Sequence, residues 1–166
     1  MRDSRPLLIA LIFFFAACGG SQSSGASGPS PSVAPTTTAT VTLTDAGCRY
    51  YGPTHVPAGQ FIAHLANQTN NTFFLGLGRI EQGHTYQDFV EWTDRDRDRE
   101  IHGLASLGPP DWLPGISHVQ AEPGHAVDLM ASVGKGIYAF GCGRLDLTET
   151  QPKELGVWAA GPFEVS

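Results

Sequence analysis

The groups with the most chemical potential in this chain are a thiol, a carboxylate and two imidazoles in its C-terminal half. Cys142 ends an aromatic stretch and Asp146 follows it, whereas His118 and His125 flank the turn Glu122-Pro123-Gly124. Thiolate, carboxylate and imidazole are metal ligands, so these residues allow one hypothesis, an exported metal-binding or redox protein with unconventional copper ligands. No two histidines share a recognised ligand spacing, although His118 and His125 could approach each other if the Glu122-Pro123-Gly124 turn closes a hairpin. We therefore expect surface or partly buried histidines, no resident metal and no cofactor.

Catalysis is not indicated by the sequence. No Gly-x-Ser-x-Gly elbow and no paired-carboxylate constellation stands out, so we expect no catalytic residues and no enzyme.

The run DRDRDRE (residues 94–100) places acids at alternate positions, but a calcium loop starting at Asp94 would need Gly where Arg99 stands and Glu where Ala105 stands. We expect the side chains of this run to be solvated and its acids to pair with its arginines.

The N-terminus predicts export. Two arginines, the apolar run LLIALIFFF and small residues ahead of Cys18 form a secretory signal layout over residues 1–17. Phe15-Ala16-Ala17-Cys18 also resembles the lipobox of bacterial lipoproteins, which implies that Cys18 is lipidated, for example with palmitate, and becomes the first mature residue. The alternative is a cleaved signal peptide without lipid. We expect a lipid-anchored protein on the extracytoplasmic face of a cell membrane.

Composition separates a tether from a folded domain. Residues 18–40 follow the signal and are almost entirely Gly, Ser, Pro, Thr and Ala, which predicts a flexible linker, and the domain is predicted over residues 41–166. Acidic residues outnumber basic ones, 16 to 10, and no Lys/Arg cluster is present, so nucleic acid is not an expected partner.

The domain alternates short strands with Gly- and Pro-rich turns, which indicates an all-β antiparallel sandwich or barrel. Predicted strands begin near Val41 and include a hairpin-like pair over residues 60–66 and 72–80. One short helix is predicted over residues 85–93, where Thr85 and Asp88 form a variant capping box. A long irregular loop follows, in which Trp112 lies between rigid turns. Trp112 is a candidate partner surface, although packing is the commoner role.

The order of these parts resembles the cupredoxin family, Greek-key β-sandwiches that often bind copper. The resemblance spans residues 41–165 and rests on a Pro-Ala-Gly turn, an Asn ending a strand, the next strand, a Pro-Gly turn and a Gly-x-Tyr strand that leads to a Cys. In this chain these are Val56-Pro57-Ala58-Gly59, Asn67, Thr72 to Leu77, Glu122-Pro123-Gly124, Gly136-Ile137-Tyr138 and Cys142. The implied fold is a cupredoxin-like Greek-key sandwich with one short helix and a long irregular loop.

The copper ligands that the resemblance implies are mostly missing. On the strand where the family has its first His, this chain has Thr72, Phe73 and Phe74, and no His or Met follows Cys142. The dinuclear copper motif of oxidase subunits is not matched either, because Asp146 and Glu149 stand where that motif has His and Met. The carboxylate oxygens of Asp146 and Glu149 are hard ligands, so they cannot form the soft, thiolate-bridged copper site of that motif.

Cysteine counting gives Cys142 another role. If Cys18 carries lipid, Cys48 and Cys142 remain, and an even pair in an exported domain is most simply a disulfide. A free thiol or a metal thiolate is the alternative.

The expected function is that of a membrane-anchored, copper-free, non-catalytic cupredoxin-like lipoprotein. Its role would be binding or structural support in the cell envelope. Its partners would be the membrane, through Cys18, and an unknown envelope protein or small ligand.

Overall fold

The computed structural model describes residues 35–146 and 153–166. The predicted signal peptide, Cys18, most of the predicted linker and Glu149 lie outside the described residues. Both sheets, the core and the disulfide lie within one compact unit that spans Val33–Ser166. A fragment of residues 33–166 therefore contains every described strand, the helix and the disulfide.

Strands dominate the described part of the chain, together with one helix. They are β1 (Thr36–Thr44), β2 (Gly47–Tyr51), β3 (His55–Val56), β4 (Gly59–Asn67), β5 (Phe73–Ile80), α1 (Tyr86–Ile101), β6 (Gly115–Ala121), β7 (Ala126–Val133), β8 (Gly136–Asp146) and β9 (Lys153–Val165). β1 begins earlier than the predicted domain start at Val41, because Thr36 to Thr40 already pair with β4.

Two sheets form a sandwich. The four-stranded sheet has the order β2-β1-β4-β7, and the five-stranded sheet has the order β3-β9-β8-β5-β6. Neighbouring strands are antiparallel except for the parallel pairs β1 with β4 and β3 with β9. The predicted all-β sandwich is confirmed.

Two turns that we interpreted as hairpins instead cross between the sheets. β4 and β5 lie in different sheets, and so do β6 and β7. The physical reason is the alternation of apolar residues: β4 and β5 each have one face to bury, and placing them in opposite sheets buries both faces against each other. His118 and His125 therefore do not face each other across a hairpin, which corrects the expected approach of these two side chains.

The core lies between the two inner faces and is rich in aromatic residues. Phe61 of β4 stacks on Phe163 of β9 with ring centroids 4.5 Å apart, and Tyr138 stacks on the same ring at 5.3 Å. Full burial of one such side chain contributes roughly 1.5 to 3 kcal/mol to folding. Buried Asn67 donates to the carbonyls of Ala121 and Glu122, which fixes the turn before β7.

Helix α1 is longer than the predicted segment 85–93, because it includes the alternating charges of residues 94–100. Thr85 and Asp88 form the predicted capping box at its start. At its end Gly103 has a positive φ of 70°, and the amides of Gly103 and Leu104 donate to Glu100 and Arg99 in a Schellman pattern. Local capping therefore sets both ends of α1.

No helix in the described part of the chain is long and apolar enough to cross a membrane.

The capping box gives α1 a pH dependence. Hydrogen bonds from the backbone amide of Thr85 and then from its hydroxyl lower the pKa of Asp88. Because a lowered carboxyl pKa stabilises the folded state above the unfolded pKa of about 3.9, this stabilisation is lost as the pH falls through the folded pKa.

We predict that Thr85→Ala raises the pKa of Asp88 towards its ordinary value, because the hydroxyl donor is lost. Carboxyl titration by NMR measures the shift, with Gln87→Ala as the control on the same turn. The stability difference between wild type and Thr85→Ala should shrink below about pH 4. An unchanged Asp88 titration in Thr85→Ala contradicts the assignment.

Candidate functional site

The sulfur of Cys142 is bonded to Cys48. This disulfide joins β2 of the four-stranded sheet to β8 of the five-stranded sheet, with a Cα–Cα distance of 6.5 Å. Cys142 is fully buried, and the two sulfurs lie 3.6 and 3.5 Å from the carbonyl oxygen of Trp158. The predicted pairing is confirmed, and the alternatives of a free thiol and a metal thiolate do not describe this state of Cys142.

The other candidate metal ligands are dispersed over the fold. His118 lies in the middle of β6 on the outer face of the five-stranded sheet, whereas His125 precedes β7 and lies 3.9 Å from a carboxylate oxygen of Glu122. Asp146 ends β8, and its side chain is outside the described part. No three His, Cys, Asp or Glu side chains converge on one point among residues 35–146 and 153–166. The residues present do not fit the copper site that the cupredoxin resemblance implies.

The outer face of the five-stranded sheet has an unusual floor of glycines. Gly76 and Gly78 of β5 alternate with inward-facing Leu77, and Gly141 and Gly143 of β8 alternate with inward-facing Cys142. Gly76 pairs with Gly141 in the sheet register. This strip of backbone without side chains lets other elements approach the sheet closely.

Three of the four glycines are covered by a side chain. Leu113 covers Gly78, where an added Cβ would lie 2.7 Å from the Leu113 Cγ, and the Phe74 ring covers Gly143. Phe89 of α1 covers Gly141, where an added Cβ would lie 3.4 Å from the Phe89 Cζ.

Gly76 remains uncovered, and an apolar cleft opens above it. A Cβ added at Gly76 would meet only the carbonyl oxygen of Gly141, at 3.8 Å. The cleft has a volume of about 340 Å³, and its walls come from α1, from the loop after α1 and from β6. Its main apolar side chains are Phe74, Phe89, Trp92, Pro110, Leu113 and Ile116.

The loop that forms one wall is fixed at both ends. Buried Asp96 of α1 accepts hydrogen bonds from the Leu107 amide at 2.5 Å and from the Ser106 hydroxyl at 3.2 Å. Towards β6, the amides of Glu81 and Arg79 donate to the carbonyls of Trp112 and Pro114. The residues 94–100 are thus not wholly a solvated charge run, because Asp96 holds the loop against the helix.

Trp112, the candidate partner surface, is half-buried beside the cleft. Its indole stacks on His84 with ring centroids 4.4 Å apart and meets the edge of Phe89 at 6.4 Å. Trp112 therefore packs beside α1, and a partner contact at this residue stays a prediction.

The cleft was not predicted from the sequence, although a signal was present. Gly-Leu-Gly at residues 76–78 and Gly-Cys-Gly at residues 141–143 place glycine on alternate positions of two strands. Such spacing leaves one strand face without side chains, which indicates that something packs closely there. That β5 and β8 are neighbours follows only from the sheet order.

Comparisons with known proteins give structural neighbours only. The sequence matches no protein-family model and no curated protein. An auracyanin from the photosynthetic bacterium Roseiflexus castenholzii is 18% identical, with a TM-score of 0.37 over 76% of this chain and 98% of that chain. Auracyanin A, a blue copper protein from Chloroflexus aurantiacus, is 13% identical, with a TM-score of 0.41 over 80% of this chain and 100% of that chain.

The domain is a two-sheet β-sandwich, consistent with the cupredoxin-like fold that the resemblance implies. The helix and the long loop are inserted between β5 and β6.

The disulfide should be a main source of stability. Replacing both Cys48 and Cys142 by Ala in the 33–166 fragment should lower the free energy of unfolding by up to about 4 to 5 kcal/mol, because the link closes a loop of 94 residues. Urea unfolding measures the change. Alkylation without reductant is the companion measurement on the wild-type fragment: both thiols should be blocked, and two alkylated cysteines contradict the assignment.

The Asp96 contact should hold the cleft wall. Asp96→Ala leaves the Leu107 amide without its acceptor, so we expect faster hydrogen exchange there and a loss of about 1 to 3 kcal/mol in stability. Asp98→Ala, on an exposed part of the same helix, is the control. Equal exchange at Leu107 in both variants would show that Asp96 does not fix the loop.

Proposed function

We propose that this chain is a lipid-anchored, extracytoplasmic binding protein whose cupredoxin-like domain is non-catalytic. The observation that carries the proposal is the apolar cleft over Gly76, a preformed concavity of about 340 Å³. Small-molecule sites are typically concave and mostly apolar, with a few polar groups that orient the ligand.

Two features support an extracytoplasmic location. The N-terminal 17 residues have a secretory signal layout that ends at Cys18 in a lipobox-like sequence. The disulfide between Cys48 and Cys142 is of the kind that persists in oxidising compartments and is rare in the cytosol. Both features favour export, and the lipobox favours retention at a membrane surface.

The chemistry of the cleft supports binding without catalysis. Among the described residues that line it, His118 is the one titratable side chain. A general acid–base mechanism commonly needs a second polar group that orients the imidazole or shares the proton transfer, and the rest of the lining is apolar or backbone apart from Ser117. Binding is therefore the role that this lining favours.

The anchor is tested on the full chain in a bacterium that processes lipoproteins. We predict that cells fed an alkyne-tagged fatty acid label the wild-type protein and that Cys18→Ala abolishes the label. Ser21→Ala, which retains Cys18 and the disulfide, is the matched control and should keep it. Labelling that survives in Cys18→Ala, or wild-type protein released unlabelled into the soluble fraction, overturns the proposed anchor.

A further inference from the structure

We propose that the cleft over Gly76 binds a small planar aromatic molecule that carries one polar or anionic group, and that His118 receives this group. The inference rests on the proposed binding function and names the ligand class for the same cleft.

The floor of the cleft favours a flat ligand. Gly76 and Gly141 are register partners on adjacent strands, so their peptide planes form a surface without side chains at Gly76. The inward-facing neighbours Leu75 and Leu77 are buried in the core and leave the floor unobstructed. A planar ring can lie flat on the uncovered backbone at Gly76, whereas a puckered ring touches it at fewer atoms.

The walls favour an aromatic ligand. Phe89 is buried against Gly141, and its ring lies 6.2 Å from that of half-buried Trp92, with an interplanar angle of 15°. Phe74 lines the cleft from two positions before Gly76 on β5. Three aromatic side chains around a bare floor offer ring faces and edges to a further ring, and such pairs stabilise one another beyond simple area burial. The volume of about 340 Å³ is at the small end of ligand sites, which suits a bicyclic molecule.

The polar group of the ligand is expected at His118. This residue is the register partner of Gly76 on β6, so its imidazole stands at the edge of the floor. The neighbouring Ser117 hydroxyl already donates to the Met130 carbonyl at 3.0 Å. Because no described acidic side chain lines the cleft, a carboxylate or phenol on the ligand meets no repulsion there and can hydrogen-bond to the imidazole.

The test uses three probes and the 33–166 fragment. The probes are 2-naphthoate, which is planar and acidic; 2-methylnaphthalene, which is planar without an acid; and decahydro-2-naphthoate, which is acidic and puckered. Affinities are measured by NMR titration of the backbone amides. We expect 2-naphthoate to bind most tightly, with the largest shifts around Gly76 and Gly141.

Gly76→Val is the variant that blocks the floor. Space above Gly76 accommodates the new side chain, and valine suits a strand, so we expect a folded protein that loses at least about tenfold in affinity for both planar probes. Gly134→Val is the matched control, because an added Cβ there meets nothing within 4 Å and the residue lies outside the cleft. Thermal unfolding confirms that each variant is folded.

His118→Ala separates the polar contact from the floor. We expect it to weaken 2-naphthoate by about three- to tenfold and to leave 2-methylnaphthalene unchanged. Equal binding of wild type and Gly76→Val, equal affinity for the planar and puckered acids, or no binding of 2-naphthoate overturns the proposed ligand class. These outcomes are independent of Cys18, since the fragment lacks it, so failure of the ligand class and failure of the anchor are read from different experiments.

Discussion

The contact between α1 and the bare backbone of the five-stranded sheet is what the rest of the outer surface depends on. Phe89 lies directly over Gly141, which is possible because no side chain separates the helix from the strand. The helix in turn holds the following loop through Asp96, and the loop covers Gly78 with Leu113. The uncovered Gly76 is thus the one gap in this covering of the two glycine strands, and the cleft is its consequence.

The disulfide has an equally defined role inside the sandwich. It links a strand of each sheet through fully buried Cys142, beside the carbonyl of Trp158. The cupredoxin resemblance implies a thiolate ligand at Cys142, but this sulfur, within β8, forms a covalent link to Cys48 instead. The inner face of the domain thus contains this covalent link, whereas the apolar cleft opens on the outer face of the five-stranded sheet.

Much of the fold was predictable because the relevant signals are local. Alternating apolar residues predicted strands, Thr85 and Asp88 predicted the start of α1, and cysteine counting predicted the disulfide. The errors have different causes. The end of α1 is set by a local cap at Gly103, beyond the charged residues 94–100. Which sheet a strand joins depends on contacts between distant segments. The cleft was missed for the same reason, since Gly76 and Gly141 become neighbours only after β5 and β8 pair.

Contacts between a bound planar ligand and the floor of the cleft would show whether the ligand binds over Gly76. Intermolecular nuclear Overhauser effects in the 33–166 fragment saturated with 2-naphthoate report protons within about 5 Å of the probe, a range comparable to the 4.5–7 Å centroid separation of packed aromatic rings. We predict contacts from the naphthyl protons to the α protons of Gly76 and to the ring protons of Phe89. Contacts confined to the other sheet, such as the exposed side chain of Met130, would contradict this prediction.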